Sequence, residues 1–340
     1  MAVRKVGTSR VIREIGRGGM SVVYEAYQEA LDRKVAVKQL DAPSARSAEL
    51  AERFRREGRA YAQIHHAGII AIHDFVEKDE ALYLVTEFVD GEDLSRLLAG
   101  GPLPPDCVAA IGAAVADALE CIHAHSLLHR DLKPGNVMIS RQGAVKVMDF
   151  GIVKDPMASD LTRTGTVVGT PYYIAPEVLG GDGEDERSDL WSLGVTLYEL
   201  ATGKRPFDGV DYQELFAAVR KGRLRPVRDL APAVPRRLAR AIERCLEQRP
   251  DRRWETSAML AGELEAIAGK LLGEVRPEKR LTTLLEERTL AAAPAGTVPL
   301  GTADLVPLTG AELAAVRSPW PWRLLGALLA AAATWAWLGR

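Results

Sequence analysis

Cysteine is scarce: Cys107, Cys121 and Cys245 are the only three in 340 residues, and they are widely scattered. That number and spacing exclude a disulfide framework and a thiolate zinc site, and they fit a reducing compartment. A charge excess of either sign is also missing. Lys and Arg number 44 against 46 Asp and Glu, a net charge of −2, whereas nucleic-acid-binding domains carry a clear basic excess. No nucleic-acid partner is expected. The N-terminal Met-Ala-Val-Arg-Lys-Val-Gly has no apolar run behind its charges, so no export signal is expected. Internal repeats are absent from the sequence as well. What remains is 47% hydrophobic and 26% charged residues at a mean hydropathy of −0.06. Such a chain can bury a substantial core, as one large domain or two of ordinary size.

The first 90 residues read as strands around one helix. Val11 to Ile15 and Val22 to Ala26 flank a glycine-rich turn, Lys34 to Leu40 alternates with Val35 and Val37 on one face, and Ala81 to Val89 is β-rich. Ala48 to Ile64 is charged and helical in pattern, with Leu50, Phe54 and Tyr61 on one stripe. From about residue 105 the pattern is mostly helical: Val108 to Ala124, Asp189 to Thr202 and Pro235 to Leu246. A small β-rich lobe followed by a larger helical lobe is the expected α+β layout. After about residue 270 the composition changes, and residues 291–319 are largely Ala, Pro, Thr, Gly and Leu, which reads as linker.

The chemistry lies in a few motifs. Gly16-Arg17-Gly18-Gly19-Met20-Ser21-Val22-Val23 sits between two predicted strands, where glycines let backbone approach phosphate oxygens. Lys38 ends the strand Val35-Ala36-Val37-Lys38, and Glu57 on the following helix could pair with it. An ammonium held by a carboxylate is a fixed cation suited to the α- and β-phosphates of a nucleotide. Then comes His129-Arg130-Asp131-Leu132-Lys133-Pro134-Gly135-Asn136, followed by Asp149-Phe150-Gly151 and Ala175-Pro176-Glu177.

In this order and spacing the motifs resemble those of the eukaryotic-like (Hanks-type) protein kinases, specifically the bacterial serine/threonine branch. The resemblance covers roughly residues 9–269 and implies a bilobal protein-kinase fold, with an N-lobe of about 9–89 and a C-lobe of about 90–269. It implies ATP as cofactor with Mg²⁺, or Mn²⁺ in its place, and protein substrates bearing Ser or Thr. Asp131 would accept the substrate hydroxyl proton and Lys133 would contact the γ-phosphate. Asn136 and Asp149 would hold the metal. Ile15, Gly16, Arg17, Gly18, Gly19, Met20, Ser21 and Val22 would cover the nucleotide, with Val23 and Ala36 over the adenine and Met138 completing the set. Thr86 would be the gatekeeper, Glu87 and Val89 would offer backbone hydrogen bonds to adenine, and Asp93 would reach the ribose. Ser21 replaces the third loop glycine of the family pattern. The resemblance further implies a Glu177–Arg253 pair, Asp189 bonded to backbone around the His-Arg-Asp turn, and a spine of Tyr61, Ile72, His129 and Phe150.

By the same resemblance, Arg130 would receive an activation-loop phosphate. Thr162 and Thr164 are the candidate autophosphorylation sites, with a homodimer as one route to it. Thr166 lies in the same loop, and Thr170 would belong to the substrate-binding loop. The acidic run Asp182 to Glu186 could recognise basic substrates, but it reads first as a solvated loop. At the C-terminal end, Trp320-Pro321-Trp322-Arg323 precedes an uncharged stretch from Leu324 to Leu338. A helix over it would span roughly 22 Å, or about 28 Å counted from Trp320, just enough for a bilayer core with tryptophans at both interfaces. The expectation is a kinase domain at 9–269, a largely disordered juxtamembrane linker at 270–319 and a transmembrane helix at 320–338. It is then a single-pass, tail-anchored protein of the inner membrane with its kinase domain cytoplasmic and no outer domain. A catalytically weak kinase-fold scaffold and a small-molecule phosphotransferase are the competing readings; intact Lys38, Asp131 and Asp149 weigh against the first, and the Ala-Pro-Glu and Ser-Asp-Leu-Trp stretches against the second.

Overall fold

Six strands pair antiparallel in the N-terminal part: β1 (Lys5–Val6), β2 (Ser9–Arg17), β3 (Ser21–Gln28), β4 (Arg33–Leu40), β5 (Ile72–Lys78) and β6 (Ala81–Glu87). Their spatial order is β1-β2-β3-β4-β6-β5. The computed structural model describes residues 5–17, 21–40, 52, 56, 58–78, 81–149 and 171–292. The period-2 alternation of β4 does what a pleat requires. Val35 and Val37 join Val6, Ala26, Tyr83 and Val85 in a small core on one face of the sheet. On the opposite face Val23 lies across from Lys38, with Ala36 two residues before it, and all three are half-buried. Glu25, only 4% exposed, is held on that face by Arg13 at 2.7 Å and Lys34 at 2.9 Å. Burial opposes its ionisation, but the hydrogen bond from Lys34, with help from Arg13, keeps its pKa below the ordinary carboxylate value.

The larger part is helical. Asp93 ends a short strand, β7 (Gly91–Asp93), and N-caps α1 (Leu94–Ala99) by accepting from the Arg96 amide. Next come α2 (Pro105–Ala124), the strands β8 (Val137–Ser140) and β9 (Val145–Val147), α3 (Pro176–Gly180) and α4 (Glu186–Thr202). They are followed by α5 (Tyr212–Lys221), α6 (Val227–Leu230), α7 (Arg236–Cys245) and α8 (Ser257–Leu272). Strands β7, β8 and β9 form a second, three-stranded sheet. Among the described residues α2 is the helix long and apolar enough to cross a membrane. It is instead a core helix here, packed between α4 and α8. Where α4 crosses α7, a Cβ at Gly194 would collide with Cys245, so that glycine sets how closely the two helices approach. The three cysteines are free thiols, and burial raises Cys107 and Cys245 to about 12, which leaves both unreactive near neutral pH.

The expected linker starting at residue 270 is corrected over its first part. α8 continues to Leu272, and a further helix, α9 (Pro277–Ala292), follows it. Leu281, Leu284 and Leu285 form an i, i+3, i+4 stripe that is 2%, 1% and 8% exposed. This packing drives the helix, since burying one leucine contributes about 1.5–3 kcal/mol. Arg280 pairs with Asp106 of α2 at 2.8 Å, and Arg288 donates to the carbonyls of Gly100, Gly101 and Pro102. Gly143, at φ +83°, lies so close under the Glu278 backbone that any Cβ there would clash. α9 is thus a folded buttress joining two loops and α2 of the helical lobe. Residues 293–340, including the expected transmembrane stretch 320–338, lie outside the described residues.

Candidate active site

The tight turn between α2 and β8 brings the polar side chains together. It begins at His129, fully buried, whose pKa is pushed down by that burial. A neutral imidazole facing the Met148 carbonyl at 3.0 Å must carry its proton on Nε2. Nδ1 is then an acceptor for the Asp131 amide at 3.3 Å. Arg130, between them, has φ 64°, and Asp149 has φ 51°. Two non-glycine residues in the left-handed region, both at the centre of one site, mark backbone held in place by its surroundings.

For Arg130 that surrounding is Asp189 of α4, 2% exposed. Its carboxylate accepts from the amides of His129 at 2.8 Å and Arg130 at 2.9 Å and from His123 Nε2 at 2.9 Å. Burial works to raise the Asp189 pKa, but the hydrogen bond from His123 and the backbone donors outweigh it and lower the value. His123 in turn meets Ser257 Oγ at 2.9 Å. The hub therefore ties α2, α4 and α8 to the catalytic turn. Its Asp189 end was expected; the His123–Ser257 extension was not, and only the positions of a His and a Ser in the sequence could have hinted at it.

Along the turn, Lys133 Nζ donates to Asp131 Oδ2 at 2.9 Å. Asn136 Nδ2 donates to Asp131 Oδ2 at 3.0 Å and to the carbonyls of Asp131 and Asp149 at 2.7 and 3.5 Å. From the sheet, Lys38 Nζ reaches Asp149 Oδ1 at 2.8 Å. One connected polar path thus runs Lys38–Asp149–Asn136–Asp131–Lys133. With its amide hydrogens directed at Asp131 and Asp149, Asn136 presents Oδ1 as its remaining acceptor. That oxygen and the Asp149 carboxylate are a hard, sparse donor set. It fits a divalent cation of the Mg²⁺ kind, which takes few protein oxygens and completes its shell with phosphates and water. No cluster of three or more His, Cys, Asp or Glu suited to a metal occurs among the described residues.

The remaining expected nucleotide residues line the sheet and the strand leading out of it. Ile15, Gly16 and Arg17 end β2, and Ser21, Val22 and Val23 begin β3, with Gly16 opposite Val23. Thr86, 8% exposed, lies opposite Ala36 on β6. Glu87 turns its carboxylate to Lys146 of β9 at 2.9 Å, so the connection out of the sheet is tied to the helical lobe. Val89 packs on the main core. Met138 lies opposite Asp93 in the β7–β8 pair. Tyr61 donates to the Leu128 carbonyl at 2.5 Å, beside the His129 turn. Gly18, Gly19, Met20, Glu57, Phe150, Thr162, Thr164, Thr166 and Thr170 lie outside the described residues.

Two ion pairs flank the site. Arg253, with a fully buried side chain, grips Glu177 in a bidentate fork of 2.7 and 2.8 Å. Its other donors meet the carbonyls of Glu247 and Arg187. Burial alone would raise the Glu177 pKa, but Arg253 reverses this and lowers it. The second pair lies in the acidic run, which is exposed throughout as a solvated loop is: Glu184 meets Arg130 Nε at 2.9 Å.

A strand-borne lysine, an Asp–Asn–Asp polar path and a buried aspartate under the catalytic turn define a protein-kinase site on a protein-kinase fold. Residues 9–264 match the protein kinase domain family, and the chain belongs to that family. Its place there is among the bacterial serine/threonine protein kinases. PknA of Mycobacterium tuberculosis is 37% identical over 297 residues, which cover 86% of this chain and 68% of PknA. PrkC of Bacillus subtilis is 32% identical over 335 residues, 94% of this chain and 50% of PrkC. The chain therefore spans about half the length of that relative. The solved kinase domain of M. tuberculosis PknI matches with a TM-score of 0.65 at 29% identity, over 79% of this chain and 99% of that domain.

Proposed function

We propose that this chain transfers the γ-phosphate of ATP to serine and threonine hydroxyls of proteins, and that it acts as a membrane-held signalling kinase. The observation that carries the activity is the continuous polar path from Lys38 to Lys133 across the cleft. Phosphoryl transfer leaves little covalent work to a protein, so positioning and charge stabilisation are the catalysis. Lys38 steadies the nucleotide phosphates from the sheet side. Asp131, its carboxylate oriented by Lys133 and Asn136, accepts the hydroxyl proton and aims the oxygen in line. Lys133 balances charge on the transferring group. Asn136 and Asp149 would hold the metal ion, whose chemistry there would be to neutralise phosphate charge. Val23 and Ala36 offer an apolar roof for a purine.

Thr162 and Thr164 are the proposed autophosphorylation sites, and Arg130 the group that receives their phosphate in exchange for Glu184. Anchoring is assigned to residues 320–338, with Arg317 and Arg323 on the cytoplasmic flank supporting that orientation. The test is phosphosite mapping of the wild type beside Asp131→Asn and Lys38→Met expressed in the same cells, with a protein substrate assay of each. The expected result is phosphate on Thr162 or Thr164 and on added protein in the wild type only. Equal labelling in Asp131→Asn refutes the assignment of the base, and labelling of a metabolite with no protein labelled refutes the substrate class. Full-length protein recovered without detergent refutes the anchor.

A further inference from the structure

Between Arg220 and Gln248 nine Arg and Lys residues meet three Asp and Glu, in a chain whose net charge is −2. Arg236 and Arg240 lie one turn apart on α7 and are exposed. The segment 222–228 runs beside the same helix. Val227 donates to Glu243 of α7 at 2.9 Å, Arg228 Nε donates to the Val234 carbonyl at 3.1 Å, and Gly222 lies against Gln248. Arg223 and Arg225 on that segment are exposed, as are Arg220 and Lys221 at the end of α5. None of these six cations has an ion-pair partner among the described residues. Their neighbours are placed otherwise: Arg237 is forked onto Glu263, and Arg244 lies over the Trp254 ring.

We infer that this face, formed by the end of α5, the 222–228 segment and α7, is a docking surface for an anionic lipid bilayer. Charge complementarity requires a polyanionic partner, and the composition of the patch selects among them. None of the large exposed hydrophobic residues lies between Arg220 and Gln248. A protein partner is usually held by buried apolar or aromatic anchors at the centre of its interface. A lipid surface needs only several arginines able to reach headgroups together, each contributing roughly fivefold in affinity. The inference does not require the proposed transmembrane segment, and it gives that marginal segment a second attachment.

Residues 1–292 form one compact unit with its own core, so that piece and the full chain are both suitable for test. The piece is mixed with vesicles of phosphatidylcholine alone or with about 30% phosphatidylserine, alongside Arg223→Gln/Arg225→Gln/Arg236→Gln/Arg240→Gln. These four side chains are exposed, and an unchanged melting temperature verifies the fold. Wild-type 1–292 is expected to sediment with the anionic vesicles, not the neutral ones, and to be released as salt rises. The quadruple variant is expected to bind at least about tenfold more weakly. Equal binding by the variant, or none by the wild type, overturns the inference. So does tighter, patch-dependent binding to an acidic polypeptide or duplex DNA than to the vesicles. In the full chain, deletion of 320–338 reports on the anchor separately, because the patch is intact in that deletion.

Discussion

Replacing Arg253 by methionine isolates the energy of the fork that joins Ala-Pro-Glu to the helical lobe. The substitution keeps an unbranched apolar stem but removes the guanidinium and with it every donor. Glu177, whose side chain is 12% exposed, then loses both of its guanidinium bonds, at 2.7 and 2.8 Å. Ser188 Oγ, at 2.8 Å, still donates to its side chain, as does a backbone amide, and the carbonyls of Glu247 and Arg187 lose the Arg253 donors. Breaking one partner of a buried pair costs about 3–5 kcal/mol, which in a unit of this size lowers the melting temperature by on the order of 10 °C. The pH dependence gives a sharper readout. In the wild type the folded Glu177 pKa is depressed, so its contribution is present above the unfolded carboxylate pKa and lost as pH falls through the folded value. In the variant burial outweighs the weaker donors that remain and the folded pKa rises, so acidification relieves the destabilisation. Thermal melts of both proteins between about pH 7 and pH 4 should therefore show the gap narrowing toward acid. A pH-independent gap, or a loss below about 1 kcal/mol, refutes the fork as the source. Glu177→Gln combined with Arg253→Met should be less damaged than Arg253→Met alone.

Other substitutions probe the elements that motif reading did not supply. Ser257→Ala leaves His123 Nδ1 without its partner and should cost about 1–3 kcal/mol in a urea melt, with a lowered kcat and little change in KM for ATP. Leu281→Asp/Leu284→Asp should undock α9 while the rest stays folded; amide exchange would rise in 277–292 and in 100–104, and exchange confined to the helix would refute a link to the loop. Glu184→Gln removes a competitor for Arg130, so the ratio of activity after autophosphorylation to activity after phosphatase treatment should increase severalfold. An unchanged ratio means that Glu184 and the phosphate do not share Arg130.

The chemistry of the site was readable from sequence because it is written in contiguous motifs: His129 to Asn136 lie on one turn, and Val35 to Lys38 on one strand. The strands and the long helices followed from period-2 and 3.6-residue patterns. What escaped were relations between distant residues. Glu184 looked like one member of an acidic run, and nothing local shows that α4 begins where its carboxylate meets Arg130. His123 and Ser257 lie more than a hundred residues apart in the chain, joined by the packing of α2 on α8. α9 did carry a local signal: Pro277 at its first turn and leucines at 281, 284 and 285. The neighbouring low-complexity stretch and the polar residues between those leucines masked it.

Asp189 fastens the catalytic turn to the helices beneath it, whereas Lys38 belongs to the sheet above. The polar path thus starts on the sheet and ends on the turn within one compact unit, and among the described residues the Lys38–Asp149 pair, at 2.8 Å, is a joint between the two. The alignment of the strand-borne lysine with the turn therefore depends on how the sheet is seated on the shared core, to which Leu40, Leu82 and Leu84 contribute from the sheet side.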